Sequence, residues 1–354
     1  MEVHMSKRFF GCNGVRLFAI LVLALLLLPA KVGAESSPDL IKAAKAEGEL
    51  VLYTAMQRKV IKDSVEMFQK KYGIKVTYVR KGSGGTIQLI EAERQTKAYK
   101  ADVVDLWDPA TFRYWKKNGL FMAYKPAGGD KIAKNLVDSD WDIVTASPIT
   151  EVIVYNTRAV KAEDAPKSFK DLLDAKWKGR LVHSDPNYSG STTMGVNVLF
   201  NMYGWEFYHK LAAQKPLIVK SIGAVPRMLL TGEADVGVLS IDADIKDFIA
   251  KGEPLAVVYP EEGVPFFTWD AGILKTATHV NAAKLWMDFL ISEEHQAYLA
   301  KRKYYPSRTD VAPPTGAADL ASLKLMKPNL IWLQTNKKNQ NDKFKKIMRD
   351  AVRK

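Results

Sequence analysis

From Leu50 onward, short apolar runs alternate with stretches of helical periodicity, and that alternation leaves few folds open. Leu50-Val-Leu-Tyr-Thr54 reads as a buried strand, and Val60, Ile61, Val65, Phe68 and Tyr72 follow at helical spacing. Gly73 ends that helix, as a residue at ease in the left-handed region does, and Ile74 to Val79 is a second strand. The turn from Lys81 leads into a helix through Ile87, Ile90 and Ala98. Ala101 to Trp107 is a third strand, and Thr111 to Asn118 a helix closed by Gly119. Such alternation predicts an α/β fold, a mostly parallel sheet flanked by helices. Ligands of these sheets sit at the C-terminal ends of the strands. The loops Thr54-Ala55-Met56-Gln57, Ser83-Gly84-Gly85-Thr86 and Trp107-Asp108 are therefore candidates for contact with a ligand.

Glu151 to Asn156 is another strong strand and a natural crossover point. Beyond it the pattern predicts a helix from Ser168 to Lys176, with Ser168 and Asp171 at capping-box spacing, and a strand from Leu181 to His183. A helix from Ser191 to Tyr203 follows, then helices near Glu206 and Pro226. The strand Ala234 to Ser240, the helix Asp244 to Ala250 and the strand Leu255 to Tyr259 complete this part. Pro260 to Pro265 carries the chain back, and Trp269 to Leu274 with the helix Asn281 to Ile291 rejoins the first sheet. The expected architecture has two lobes: residues 35–150 with 266–354 form one, and residues 151–265 are inserted as the other. Two strands would act as the hinge.

Lys7, Arg8 and Arg16 precede an almost unbroken apolar run of 14 residues, Leu17 to Ala30, and Val32-Gly33-Ala34 offers a signal-peptidase site. The run is shorter than the ~20 residues a membrane span needs. The expected location is therefore the periplasm, with the signal peptide cleaved near Ala34. The single cysteine, Cys12, leaves with the signal, so the mature chain has neither disulfide nor thiolate chemistry. Its 48 Lys and Arg face 38 Asp and Glu, a net charge of +10. The excess is densest near the C-terminus, where Asp342 to Val352 reads as an amphipathic helix with Phe344 and Ile347 facing inward. A basic surface attracts anions, and no nucleic-acid recognition motif is present.

No enzyme motif survives inspection. Gly82-Ser83-Gly84 lacks the third glycine of a dinucleotide fingerprint, and neither a P-loop nor a Gly-x-Ser-x-Gly elbow occurs. His183, His209, His279 and His295 show no metal-ligand spacing; His209 and His295 are expected on helix surfaces, His183 near the ligand. The chain is expected to be a binding protein rather than an enzyme, without cofactor or metal. What stands out is a hydroxyl-rich helix start: Tyr188, Ser189, Gly190, Ser191 and Thr192. Unpaired N–H groups and hydroxyls at a helix start form a cradle for an anion; equally, Ser191 or Thr192 would simply cap the helix. Ser83, Gly84, Gly85 and Thr86 would supply a second backbone nest on the facing side. Arg227 would add a bidentate clamp, Asp242 would receive a cationic group or cap a helix, and Trp107, Tyr188 and Trp269 would form walls.

Taken in order, several motifs resemble those of the type 2 periplasmic solute-binding proteins of ABC importers, in the branch that binds ferric ion, phosphonate or sugar phosphate. The residues concerned are Glu49-Leu-Val-Leu-Tyr-Thr54, Phe68 to Val76, Ala101-Asp-Val-Val104, Trp177-Lys-Gly-Arg-Leu181, Thr231 to Val236, His279 to Lys284 and Phe289 to Glu294. The resemblance implies two lobes that close on a ligand, a monomer, and an inner-membrane ABC permease as partner. The ferric branch binds iron with a histidine, a glutamate and a tyrosine pair; here Gln57, Trp107 and Asp242-Ala243 stand in those places. The implied ligand is therefore a small organic anion: a phosphonate, phosphate ester, sulfonate or carboxylate. The alternatives are ferric iron or a ferric chelate, a sensor partner of a membrane kinase, and an exported hydrolase.

Overall fold

The computed structural model describes residues 35–352; the expected leader and its expected cleavage position at Ala34 lie outside them. Helix α1 (Pro38–Glu47) leads into β1 (Glu49–Thr54), α2 (Arg58–Tyr72), β2 (Lys75–Arg80), α3 (Ser83–Thr96), β3 (Val103–Leu106), α4 (Pro109–Lys117) and the short β4 (Phe121–Met122). The long strand β5 (Val144–Asn156) then crosses to β6 (Leu181–Ser184), α5 (Gly190–Ala213), β7 (Leu217–Val219), α6 (Val225–Leu230), β8 (Val236–Ile241), α7 (Asp242–Ile249) and β9 (Leu255–Val258). Strand β10 (Val264–Leu274) returns to α8 (Val280–Ile291), α9 (Glu293–Lys301), β11 (Leu325–Met326) and α10 (Leu330–Val352).

The main strand order is β2-β1-β3-β10-β5-β8-β6-β7. At each end three strands run parallel, β2-β1-β3 and β8-β6-β7, as the alternation predicts. At the centre β10 is antiparallel to both β3 and β5, and β5 is antiparallel to β8. Both central strands are longer than their sequence suggests. The apolar pattern places only Glu151 to Asn156 in a strand, yet all 13 residues of β5, Pro148 among them, are buried. Core residues gather on either side of this crossing. Phe68, Trp286 and Phe289 meet edge to face under β1, whereas Phe169, Trp177, Tyr208 and Phe344 fill the core beside β6 and β8.

Three local readings need correction. Ser168 and Asp171 do bond reciprocally, with Asp171 N donating to Ser168 Oγ at 3.1 Å and Ser168 N to Asp171 at 3.0 Å, but only the 3-10 turns Lys170–Leu173 and Ala175–Trp177 follow. His295 is fully buried, with its Nε2 2.8 Å from Ser64 Oγ, and burial lowers its pKa to about 4. His209 is exposed, as expected. Helix α10 starts twelve residues before Asp342; in its first half Leu333 is fully buried, and the amides of Gln340 and Asn341 are buried as well. Gln340 Nε2 donates to Thr193 O at 3.1 Å, and Asn341 Nδ2 to Pro186 O at 3.0 Å. Phe344 and Ile347 face inward as predicted, into the core beside β6.

At the crossing of β5, Glu151 is fully buried and neither carboxyl oxygen has a hydrogen-bond partner among the described residues. It packs against α5 at Gly195, where a Cβ would collide with Glu151 Oε2 and lie 2.7 Å from Leu239 Cδ1. Burial alone pushes its pKa well above the usual glutamate value of 4.5, so the folded chain favours the neutral carboxyl. Folding therefore takes up a proton above pH 4.5, and stability from this group declines as pH rises past that value. Glu151→Gln is expected to melt several degrees above the wild type in mildly alkaline buffer, with the advantage shrinking toward acid. Parallel melting curves across pH would show an ionised, hydrated carboxylate instead.

Candidate functional site

The starts of α3 and α5 face each other across the crossing strands. Gly82 is the N-cap of α3, with no side-chain cap, so its first N–H groups are open. Ser83 to Thr86 therefore form a helical turn rather than a loop nest. In α5 the cap is Ser189, whose Oγ accepts from Thr192 N at 3.3 Å; the cap sits two or three residues before the expected Ser191 or Thr192. The two starts touch through backbone. A Cβ on Gly82 would lie 2.5 Å from Tyr188 O, and one on Gly190 would lie 2.7 Å from Ser83 Oγ and 2.8 Å from Trp107 O. A Cβ on Gly84 would strike Asn187 O. Glycine at these positions lets the facing segments close on one another.

Between them lies a cavity of about 30 Å³. Seven of the expected residues line it: Ala55, Ser83, Trp107, Tyr188, Ser189, Gly190 and Ser191. Arg80, Gln57 and Gly82 join them, as does the segment Ser221-Ile222-Gly223. That segment opens the 3-10 turn Ile222–Ala224 ahead of α6. The polar lining consists of donors. Ser189 and Ser191 hydroxyls lie 3.0 Å apart, and Trp107 Nε1 is buried with no partner among the described residues. Arg80 Nε donates to Met56 O at 2.8 Å, and no carboxylate among the described residues lies within 4.0 Å of its guanidinium. Burial first, and then the neighbouring Arg58 charge, holds the Arg80 pKa below the usual arginine value. No aspartate, glutamate, histidine or cysteine lines this cavity.

The remaining expected residues lie elsewhere. Thr54 Oγ1 and Trp269 Nε1 both donate to the buried Asp105, at 2.8 and 3.0 Å, in a layer beneath the cavity. Burial raises the Asp105 pKa to about 7. Gly85 packs on Lys81, and Thr86 is buried with its hydroxyl unpaired among the described residues. Asp108 caps α4 through Thr111 N at 3.0 Å and pairs with Lys337 at 2.8 Å. Thr192 is fully buried against Ser184. Asp242 is held by Lys246 at 2.9 Å and accepts from Tyr259 at 3.0 Å; it does not cap α7 and does not line the cavity. His183 is a core residue, packed on Phe344 and Tyr208, with its pKa lowered to about 4 by burial. Arg227 lines a second chamber that adjoins the first.

Sequence reasoning passed over Arg80 and Ser221. Arg80 ends β2, and the parallel-sheet rule that flagged the ends of β1 and β3 applies equally there. Ser221 carries no comparable signal, because β7 is a three-residue edge strand that periodicity does not reveal.

A family model described as bacterial extracellular solute-binding protein matches residues 98–327. The chain belongs to that family. Iron uptake protein A1 of a Synechocystis species is 23% identical over 349 residues, covering 92% of this chain and 93% of its own length. A putative 2-aminoethylphosphonate-binding periplasmic protein of Salmonella typhimurium is 25% identical over 270 residues, 70% of this chain and 74% of its own. Among solved structures, the periplasmic binding protein AfuA from Actinobacillus pleuropneumoniae, with fructose-6-phosphate bound, superposes with a TM-score of 0.73 at 25% identity. That match covers 86% of this chain and 98% of AfuA. Iron-bound HitA from Pseudomonas aeruginosa gives 0.71 at 22% identity, covering 86% and 99%, which speaks for the fold alone. This solute-binding protein thus has the two-lobed periplasmic-binding-protein fold and is the substrate-binding component of an ABC import system.

The bare glycines make this contact testable. Gly190→Ala in this solute-binding protein adds a methyl group where none fits, and overpacking of that kind costs about 1–3 kcal/mol. Small-angle scattering should then give a larger radius of gyration than wild type, and solute affinity should fall roughly tenfold. Wild-type values for both would mean that the backbone contact does not hold the two helix starts together.

Proposed function

We propose that the imported solute is a small organic anion whose acidic group is held by Arg80, the hydroxyls of Ser83, Ser189 and Ser191, and the indole N–H of Trp107. The observation that carries this reading is the cavity lining: a half-buried, carboxylate-free guanidinium among neutral donors, at two converging helix starts. The first 34 residues are a leader on this reading, and the mature protein is a monomer in the periplasm. Residues 35–150 with 266–354, and residues 151–265, are the two moving bodies, with β5 and β10 as the hinge. Ferric iron is the competing cargo, since two of the relatives are named for iron. Fe³⁺ requires anionic oxygen ligands, and the positions matched to the ferric histidine and glutamate hold Gln57 and Trp107, both in the cavity lining.

A thermal-shift screen of phosphonates, phosphate esters, sulfonates, carboxylates and ferric citrate tests the reading, because a solute bound only by the native state raises the melting temperature. An organic anion is expected to give the largest rise. Arg80→Ala should weaken that anion by about ten- to a hundredfold, the range for a charge-assisted hydrogen bond lost from a half-buried site. Ser191→Ala should weaken it less. Coloured protein that retains iron, with Arg80→Ala behaving as wild type, would overturn the anion reading.

A further inference from the structure

The cavity does not end at Arg80. Gln57, Arg80, Ser221 and Gly223 also line an adjoining chamber of about 450 Å³, against about 30 Å³ for the inner cavity. The inner space suits an acidic head, and the outer chamber has the size of a small-molecule site. Its charges are lopsided. Arg58, Lys59, Arg80, Arg227, Lys251 and Arg302 line it, against two carboxylates, Asp244 and Asp247.

Both carboxylates are already engaged. Asp247 pairs with Arg302 at 3.0 Å and with Lys251. Asp244 is half-buried and accepts hydrogen bonds from Gln57 Nε2 on one oxygen and Tyr304 OH on the other. Lys59 is taken by Asp63 at 3.2 Å. Arg58, Arg80 and Arg227 are left without a carboxylate within 4.0 Å among the described residues. Three guanidinium groups around one chamber repel each other until an anion arrives, and no carboxylate there is open to receive an ammonium group.

We propose, on the basis of the anion-cradle reading, that the solute is two-headed: one acidic group in the inner cavity and a second negative group in the outer chamber, between Arg58 and Arg227. A zwitterionic aminoalkylphosphonate is disfavoured, because its ammonium group would enter a field of unpaired arginines.

Three probes of matched length separate these outcomes by isothermal titration: propylphosphonate, 3-aminopropylphosphonate and 3-phosphonopropanoate. The wild type is expected to bind 3-phosphonopropanoate about tenfold more tightly than propylphosphonate, and 3-aminopropylphosphonate more weakly than either. The Arg58→Ala, Arg227→Ala double variant should bind propylphosphonate as wild type does while losing the preference for the second acid. Both residues are exposed, so the variant keeps its core. Equal affinities for propylphosphonate and 3-phosphonopropanoate, or a preference that survives in the double variant, would overturn the two-headed solute and leave the cradle standing. Failure of all three probes to bind the wild type would remove the cradle and this inference together.

Discussion

The antiparallel ladder between β5 and β10 is the constraint on which the rest of the molecule depends. Phe266 to Ala271 pairs with Val144 to Thr150, and each strand then continues into a different set of neighbours. Two parallel trios can share one sheet only because these two strands run through the middle in opposite directions. Their pairing also sets where strand ends point. The C-terminal ends of β1, β2 and β3 arrive opposite the turn that opens α5, so the two helix starts converge without any long loop to position them.

Much of this was legible in the residues. Alternating runs located β1 to β3, β6, β8 and β9 within a residue or two, because each is a short apolar segment bounded by turn residues. The central strands were legible only in their most apolar parts. Their apolar patterns begin only at Glu151 and Trp269, although Val144 to Thr150 and most of Val264 to Thr268 are buried. The first half of α10 was hidden for a related reason: beside the buried Leu333 it is held by Gln340 and Asn341 through amide hydrogen bonds, which no hydropathy pattern records.

The candidate site was legible in kind but not in detail. The hydroxyl cluster did mark the cavity wall, and Ser83, Trp107, Ser189 and Ser191 came together as its spacing suggested. Thr54 and Trp269 sit one layer too deep, bound to Asp105. The period of a strand tells which face a side chain takes, but not whether a neighbouring carboxylate claims it first. Asp242 was misplaced for the same reason, its partners Lys246 and Tyr259 lying on its own helix and on the strand end beside it.

Helix α10 is fastened on both flanks of the crossing strands. Lys337 reaches Asp108 at the start of α4, Gln340 and Asn341 grip the first turn of α5, and Phe344 is sunk in the core beyond. A single helix thus ties the α4 side of the central strands to the α5 side. Any rearrangement that parted those two sides would first have to break the Lys337–Asp108 pair or the amide bonds of Gln340 and Asn341.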